Sequence, residues 1–250
     1  MIVIKTSNQL QKMRKAGIIT GGALVAAQKA IRPGMSTKEL DSVIHDYIIS
    51  HGAKPSFLNY NGFPASACIS VNDTVIHGIP SKKEILKEGD IVSVDVGAYI
   101  DGYHGDSAKT FAVGEVSEEA KALMASTEES LWLAIKLAKP GMRIGDLSSA
   151  IQEYNEARGF SVVREFVGHG VGSKLHEDPE VPNFGKAGHG PRLSPGMVIA
   201  IEPMINAGKR NVVQLSDGWT IKTQDKSLSA HFEHTIAITS EGATILTLPE

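Results

Sequence analysis

The chain repeats itself once, and this internal repeat restricts the folds that are open to it. Residues 32–47 recur as residues 139–154, with Pro, Gly, Met, Leu, Ser, Ile and Tyr each 107 positions further along. The same offset aligns the apolar segment 89–95 with segment 196–202, and each of these segments ends in an acidic residue. Agreement in register over about 60 positions indicates two copies of one supersecondary unit, not the many short repeats of a solenoid.

Each copy is predicted to contain a long helix, a second helix and then strands. Helices are expected near 7–31, 37–51, 117–138 and 146–158. The first two helices are each preceded by residues at capping-box spacing, and Ser117 and Asp146 are the expected N-caps of the third and fourth helices. Gly52 and Gly159 are expected to end the second helix of each copy as left-handed C-caps. Strand signals fall at 66–71, 91–100, 103–113, 162–167, 197–205, 219–224 and 231–239.

Composition limits the class of protein further. No Pro/Gly/Ser-rich linker separates the copies, so we expect one α/β domain over residues 1–250, with pseudo-symmetric halves of about 1–115 and 116–250. The strands should be central and the helices packed outside. The net charge of -3 offers no broad basic surface for nucleic acid or an anionic membrane. The single cysteine, Cys68, and the lack of a signal peptide or long apolar run predict a cytoplasmic protein without a membrane partner.

Two acidic residues of the first copy stand where a buried strand should be apolar. A charge at Asp95 would cost several kcal/mol unless it is paired or bound to a metal. The Asp-Gly pair at 101–102 is a strong hairpin signal, and a two-residue turn there makes position i face position 203 minus i. Asp95 then faces Ala108, and Asp106 is its diagonal neighbour on the same face, unless a bulge shifts the register.

The second copy supplies a matching pair, Glu202 and Glu233, each inside an otherwise apolar strand signal. One such acid is usually paired with Lys or Arg, but four acids placed in pairs by a repeat favour a metal site. His169, predicted to lie in a glycine-rich turn after a strand, would add a nitrogen ligand. This donor set suits Mn²⁺, Fe²⁺, Co²⁺ or Zn²⁺ better than Ca²⁺, and the number of carboxylates favours two ions.

The remaining histidines divide into two groups. His77 and His176 are candidates for contact with a substrate. The others are expected to be structural or simply exposed: His45, His51, His104, His189, His231 and His234.

Together these residues resemble the type I methionine aminopeptidases of bacteria. The resemblance rests on VDVG at 94–97, GYHGDS at 102–107, GHGVG at 168–172 and IEPM at 201–204, and it extends over essentially the whole chain. It implies the internally duplicated pita-bread fold, with central antiparallel sheets and helices outside. It also implies two divalent metal ions and the five metal ligands Asp95, Asp106, His169, Glu202 and Glu233.

The resemblance further implies a reaction and a pocket. The enzyme would remove the initiator methionine from nascent chains, preferring a small second residue, by attack of a metal-activated hydroxide on the first peptide bond. Glu202 would act as general base, His176 would contact the scissile carbonyl, and His77 would hold the scissile amide or the following residue. The methionine side chain would enter a pocket formed by Phe57, Tyr60, Phe63, Cys68 and Trp219, although each of these residues is also explained by core packing. The expected partners are nascent N-termini and the ribosome, and a monomer is the default expectation.

Two alternative functions remain open, a proline-directed peptidase and a non-catalytic module, and the type of methionine aminopeptidase is a separate question. A proline-directed peptidase of the same fold would usually carry an additional N-terminal domain, and a type II enzyme would carry an insertion between the histidine and the next glutamate ligand. Only 32 residues separate His169 from Glu202. A non-catalytic peptide-binding module would be expected to have lost ligands, whereas all five positions are filled here, and a metal count would distinguish it.

Overall fold

A computed structural model describes residues 1–249 of the chain. The helices within this range are α1 (Ser7–Ala30), α2 (Thr37–Ser50), α3 (Glu118–Leu137) and α4 (Ile144–Glu156). Both predicted capping boxes form, and Ser117 caps α3 as predicted. The prediction of Asp146 as an N-cap was wrong. Helix α4 begins at Ile144, and the carboxylate of Asp146 accepts a hydrogen bond from the backbone N–H of Arg143, so the acid closes the first turn from inside the helix.

Strands account for most of the remaining regular structure, and all of the strand pairs are antiparallel. Their bounds are β1 (Lys54–Pro55), β2 (Ala67–Val71), β3 (Thr74–Ile76), β4 (Ile91–Ile100), β5 (Tyr103–Ala112), β6 (Ser161–Val162), β7 (Gly168–Gly170), β8 (Glu177–Val181), β9 (Val198–Ile201), β10 (Met204–Asn206), β11 (Val212–Gln214), β12 (Ile221–Thr223), β13 (Ser229–His231), β14 (His234–Ile238) and β15 (Ala243–Ile245). Strand β4 pairs with β1, β2 and β5, while β15-β14-β9-β7-β8 form the largest sheet. Two further sheets have three strands each, in the orders β13-β10-β6 and β11-β12-β3.

The predicted hairpin is confirmed. Asp101 and Gly102 take the positive φ values of 53° and 87° that a type I′ turn needs. The ladder between β4 and β5 runs without a bulge, and it pairs Asp95 with Ala108 and Gly97 with Asp106.

Two long strand predictions were wrong in extent. Segment 197–205 is divided into β9 and β10 at Glu202, and segment 231–239 is divided into β13 and β14 at Phe232 and Glu233. Pro203, which lacks a backbone N–H, contributes to the first interruption. The predicted strands at 162–167 and 219–224 shrink to β6 and β12.

Each half of the chain buries its own apolar cluster. In the first half, α1 and α2 contribute residues such as Leu24 and Leu40 that pack with residues of β2 and β4. In the second half, α3 and α4 contribute residues such as Leu131 and Leu147 that pack with residues of β9, β10, β13 and β14. No helix formed by residues 1–249 is both long and apolar enough to cross a membrane.

Strand β5 connects the two halves. The backbone N–H of Glu233 donates to the carbonyl of Ala108 at 2.8 Å. The hydroxyl of Thr235 donates to the carbonyl of Asp106 and accepts from its N–H, at 2.7 and 3.1 Å. One strand of the first half therefore lies directly against the segment that carries an acidic residue of the second half.

Candidate metal centre

The hairpin of the first half places two carboxylates on one face. Asp95 and Asp106 are diagonal neighbours across the β4–β5 ladder, as the register predicted. Asp106 is 3% exposed, and one carboxylate oxygen of each residue is buried without a hydrogen-bond partner among residues 1–249. Neither acid is therefore satisfied by the described part of the chain itself.

The second half contributes its two carboxylates from interruptions in the sheets. Glu202 follows the last residue of β9, and Asn183 fixes it by donating a hydrogen bond to its backbone carbonyl at 2.9 Å. Glu233 precedes β14 and is 2% exposed, with Oε1 buried and unpartnered within residues 1–249. Because these residues leave the regular ladder, their side chains can turn toward the carboxylates of the first half.

His169 lies inside strand β7, not in a turn as predicted. A Cβ on Gly168 would collide with the carbonyl oxygen of Ala200, and a Cβ on Gly170 would collide with that of Asp178. The two glycines therefore let β7 fit closely between its neighbours. The Nδ1–H of His169 donates to the carbonyl of Gly170 at 2.9 Å, which leaves the lone pair of Nε2 free to bind a metal.

These five side chains converge. Nε2 of His169 lies 3.6 Å from Oδ2 of Asp106 and 3.6 Å from Oε1 of Glu202. Possible ligand atoms of Asp106, His169 and Glu233 all lie within 4.8 Å of one another. Within residues 1–249, no Lys or Arg forms an ion pair with any of the four acids.

Burial perturbs the protonation of the whole cluster. Desolvation raises the pKa of Asp106 to about 7 and raises the pKa values of Asp95, Glu202 and Glu233 well above their ordinary values, with mutual charge repulsion adding to the last three. Desolvation lowers the pKa of His169 to about 3, so its imidazole is neutral. Unpartnered buried carboxylate oxygens beside a neutral imidazole nitrogen are the donors that a divalent cation would satisfy, so the residues fit the predicted metal.

A cavity of about 430 Å³ opens above the cluster. It brings together every residue predicted for the site: Asp95, Asp106, His169, Glu202, Glu233, His77, His176, Phe57, Tyr60, Phe63, Cys68 and Trp219. Its further lining residues are Asn61, Ile76, Glu165, Phe166, Val167 and Leu175. Sequence reasoning missed Glu165 and Phe166 because it assigned them to a strand, although they lie three and two residues before the GHGVG motif that could have indicated them.

One wall of this cavity is apolar. Phe57, Phe63, Cys68 and Leu175 are each no more than 8% exposed and pack as one cluster, with Tyr60 and Trp219 at its edge. Since Cys68 pairs with Asp95 across the β2–β4 ladder, this apolar pocket begins directly beside the carboxylate cluster.

The two candidate histidines face the same cavity. The ring of His176 lies 4.0 Å from that of His169, and its Nδ1 is hydrogen-bonded to the hydroxyl of Tyr60 at 2.9 Å. His77 takes a left-handed backbone conformation with φ of 57°, and burial lowers its pKa to about 4. Its ring meets Phe166 edge-on at 5.9 Å. Both histidines are therefore neutral groups held by aromatic neighbours.

A duplicated α/β fold with a buried carboxylate–histidine cluster under an apolar pocket defines a metal-dependent hydrolase. The model of metallopeptidase family M24 matches residues 11–240. The chain belongs to this family and, within it, to the methionine aminopeptidases. It is 55% identical to a methionine aminopeptidase of Clostridium perfringens over 248 residues, and 54% identical to methionine aminopeptidase 1 of Bacillus subtilis over 247 residues, with 99% of each chain covered in both cases.

Solved structures agree with this assignment. Methionine aminopeptidase from Thermotoga maritima superimposes with a TM-score of 0.98 at 49% identity and full coverage of both chains. Prolidase from Pyrococcus furiosus superimposes with a TM-score of 0.80 at 27% identity, and the match covers 99% of this chain but only 66% of the prolidase. The predicted family and its pita-bread fold are confirmed, and the chain is a metal-dependent aminopeptidase.

Proposed function

We propose that the chain removes the N-terminal methionine of newly made polypeptides in the cytoplasm, with a preference for a small second residue. The observation that carries this proposal is the position of the apolar pocket directly beside the buried carboxylate cluster. An unbranched thioether side chain suits a pocket of aromatic rings and one sulfur. The full-length identity to proteins named methionine aminopeptidase supports the same substrate.

The five residues Asp95, Asp106, His169, Glu202 and Glu233 would hold the metal. A ligand set of four carboxylates and one imidazole supports two ions, because one carboxylate can serve both. Co²⁺, Mn²⁺, Fe²⁺ and Zn²⁺ all accept such ligands. Bound here, the metal would supply Lewis acidity, which polarises a carbonyl group and makes water acidic near neutral pH.

The side chains around the cluster would perform the remaining steps. Glu202 would accept a proton from the attacking water and later pass it to the leaving amine. His176, whose Nδ1 is occupied by Tyr60, would donate from Nε2 to the carbonyl oxygen as negative charge develops there. His77, which lines the same cavity, would hold the scissile amide or the following residue.

Selection for a chain terminus would come from Asp95, whose Oδ1 is buried without a partner among the described residues. A free α-amine can donate to this oxygen, whereas an acylated amine loses both its charge and two of its protons. Only the first peptide bond would then reach His176. Acting on nascent N-termini would bring the enzyme to the ribosome, and we expect it to work there as a monomer.

The test is release of the first residue by metal-stripped protein with and without Mn²⁺ or Co²⁺, using peptides that begin Met-Ala, Met-Ile, N-acetyl-Met-Ala and Ala-Pro. Metal-dependent release from Met-Ala alone is expected. Equal release from the acetylated peptide would contradict the role of Asp95, and equal release from Met-Ile would contradict the preference for a small second residue. Cleavage of Ala-Pro instead would contradict the proposed substrate.

A further inference from the structure

His231 lies behind the metal centre, where sequence reasoning expected only a structural histidine. It ends strand β13, two residues before Glu233, and is 1% exposed. Its Nε2 is buried and has no hydrogen-bond partner among residues 1–249. Leaving such a group unpaired costs about 1–3 kcal/mol, so Nε2 requires a hydrogen-bond partner nearby.

The acceptor in reach is Glu202. Its Oε2 lies 3.6 Å from Nε2 of His231, so a shift of a few tenths of an ångström completes a hydrogen bond. The other oxygen, Oε1, faces Nε2 of His169, which carries no proton because Nδ1 of that ring holds it. Within the described chain, His231 is therefore the one ring that can donate to this carboxylate.

The backbone of His231 is fixed from two sides. Its N–H donates to the hydroxyl of Thr110, and that hydroxyl donates back to its carbonyl, both at 2.9 Å. On the other side, β13 pairs with β10 so that His231 faces Met204, two residues beyond Glu202. The backbone that carries the imidazole is thus fixed independently of the carboxylate, which is the arrangement that a positioning residue needs.

His231 reaches the proposed metal ligands through one carboxylate, that of Glu202. Nε2 of His169 approaches both Asp106 and Glu202 within 4.0 Å, whereas His231 approaches Glu202 alone. We propose that His231 is a positioning residue that donates from Nε2 to Oε2 of Glu202 and so aims Oε1 at the metal and the cavity. This inference rests on the proposed role of Glu202, although its effect on metal binding can be measured without any substrate.

The experiment measures the affinity of metal-stripped protein for Mn²⁺ by calorimetric titration, together with kcat and KM for a Met-Ala peptide. Replacing an outer partner of a metal ligand typically costs about 10–100-fold in metal affinity or activity. His231→Leu should therefore weaken Mn²⁺ binding by about 10–100-fold and lower kcat at saturating Mn²⁺, with KM little changed. His231→Gln, whose amide N–H can still donate, should recover most of both losses. His45→Leu, on α2 and not among the residues that line the cavity, is the matched control and should change neither.

Three results would overturn the proposal: wild-type Mn²⁺ affinity in His231→Leu, no recovery in His231→Gln, or the same Mn²⁺ loss when His231→Leu is added to Glu202→Ala. The last comparison isolates the contact, because a residue that acts through Glu202 has nothing to position once that side chain is gone. If His231→Leu does not fold, His231→Ala, which also lacks the donor, replaces it both alone and in combination with Glu202→Ala, with the same expected and contradicting results. Failure of the proposed function would show instead as absent peptidase activity in the wild-type protein, with the Mn²⁺ titrations unaffected.

Discussion

The contact between Tyr60 and His176 should set which nitrogen of the histidine carries its proton. His176 can stabilise a developing oxyanion only through an N–H that faces the cavity. A neutral imidazole has one N–H, so Nδ1 must accept, and the hydroxyl of Tyr60 lies 2.9 Å from it. Burial and the charge of Asp106 raise the pKa of Tyr60, so the phenol remains protonated and able to donate. Tyr60 therefore favours the tautomer in which Nε2 carries the proton.

The expected magnitude follows from one hydrogen bond. A neutral hydrogen bond contributes about 0.5–1.5 kcal/mol net, so Tyr60→Phe should lower kcat by about 2- to 13-fold. His176→Ala, which removes the donor itself, should lower kcat by about 10²–10³-fold. Tyr103→Phe, which loses a hydroxyl that accepts from Gln9 away from the cavity, is the matched control and should leave kcat unchanged.

Steady-state kinetics on all four combinations of Tyr60→Phe and His176→Ala provide the test. If Tyr60 acts through His176, its substitution has no further effect on kcat once His176 is absent. Tyr60 also borders the apolar pocket, and a pocket role would instead raise KM equally in both backgrounds. An undiminished loss of kcat in the His176→Ala background would refute the tautomer argument.

Three further predictions concern metal, fold and cysteine. Burial raises the pKa values of the carboxylates, that of Asp106 to about 7, so Mn²⁺ binding to metal-free protein near neutral pH should release protons and tighten as pH rises; calorimetry in buffers of different ionisation enthalpy measures this, and zero release would contradict it. Lys5 and Glu177 form a 2.8 Å ion pair whose side chains are only 2% and 8% exposed. Lys5→Met should therefore lower the free energy of unfolding, measured by urea titration, by about 3 kcal/mol. Lys15→Met, which breaks the exposed ion pair with Asp101, is the control and should lower it by less than about 1 kcal/mol. Burial and neighbouring acids raise the pKa of the Cys68 thiol well above its ordinary value, so folded protein should resist iodoacetamide at pH 7.5 and react fully in urea; rapid alkylation of folded protein would contradict this.

The first half of the site could be predicted in detail because its determinants are local. The Asp-Gly turn at 101–102 fixes the register, and the register places Asp95 beside Asp106. The internal repeat also indicates where α4 begins. At the offset of 107, Asp146 corresponds to Glu39, which lies inside α2, and not to Ser36, which is the N-cap of α2.

The second half was harder because its geometry depends on contacts between distant segments. The apolar pattern around Glu202 and Glu233 reads as two continuous strands, but both residues leave the ladder, and the N–H of Glu233 is satisfied by Ala108 of the other half. Strand alternation likewise does not show that His231 faces Glu202, since that contact joins the interruption between β9 and β10 to the last residue of β13. Short strands such as β8, with three acidic residues in Glu177–Val181, give no apolar signal at all.

The hydrogen bonds that join β5 to the segment around Glu233 also set an order of events during synthesis. Asp106 and Glu233 are 127 residues apart, and a ribosome adding about 5–20 residues per second needs about 6–25 s to cover that distance. Throughout this interval the part of β5 around Asp106 and Ala108 lacks its partners from the segment around Glu233. An open strand edge is prone to pair with other chains. The carboxylate cluster can therefore assemble only late in synthesis, after a period in which that part of β5 is an open edge.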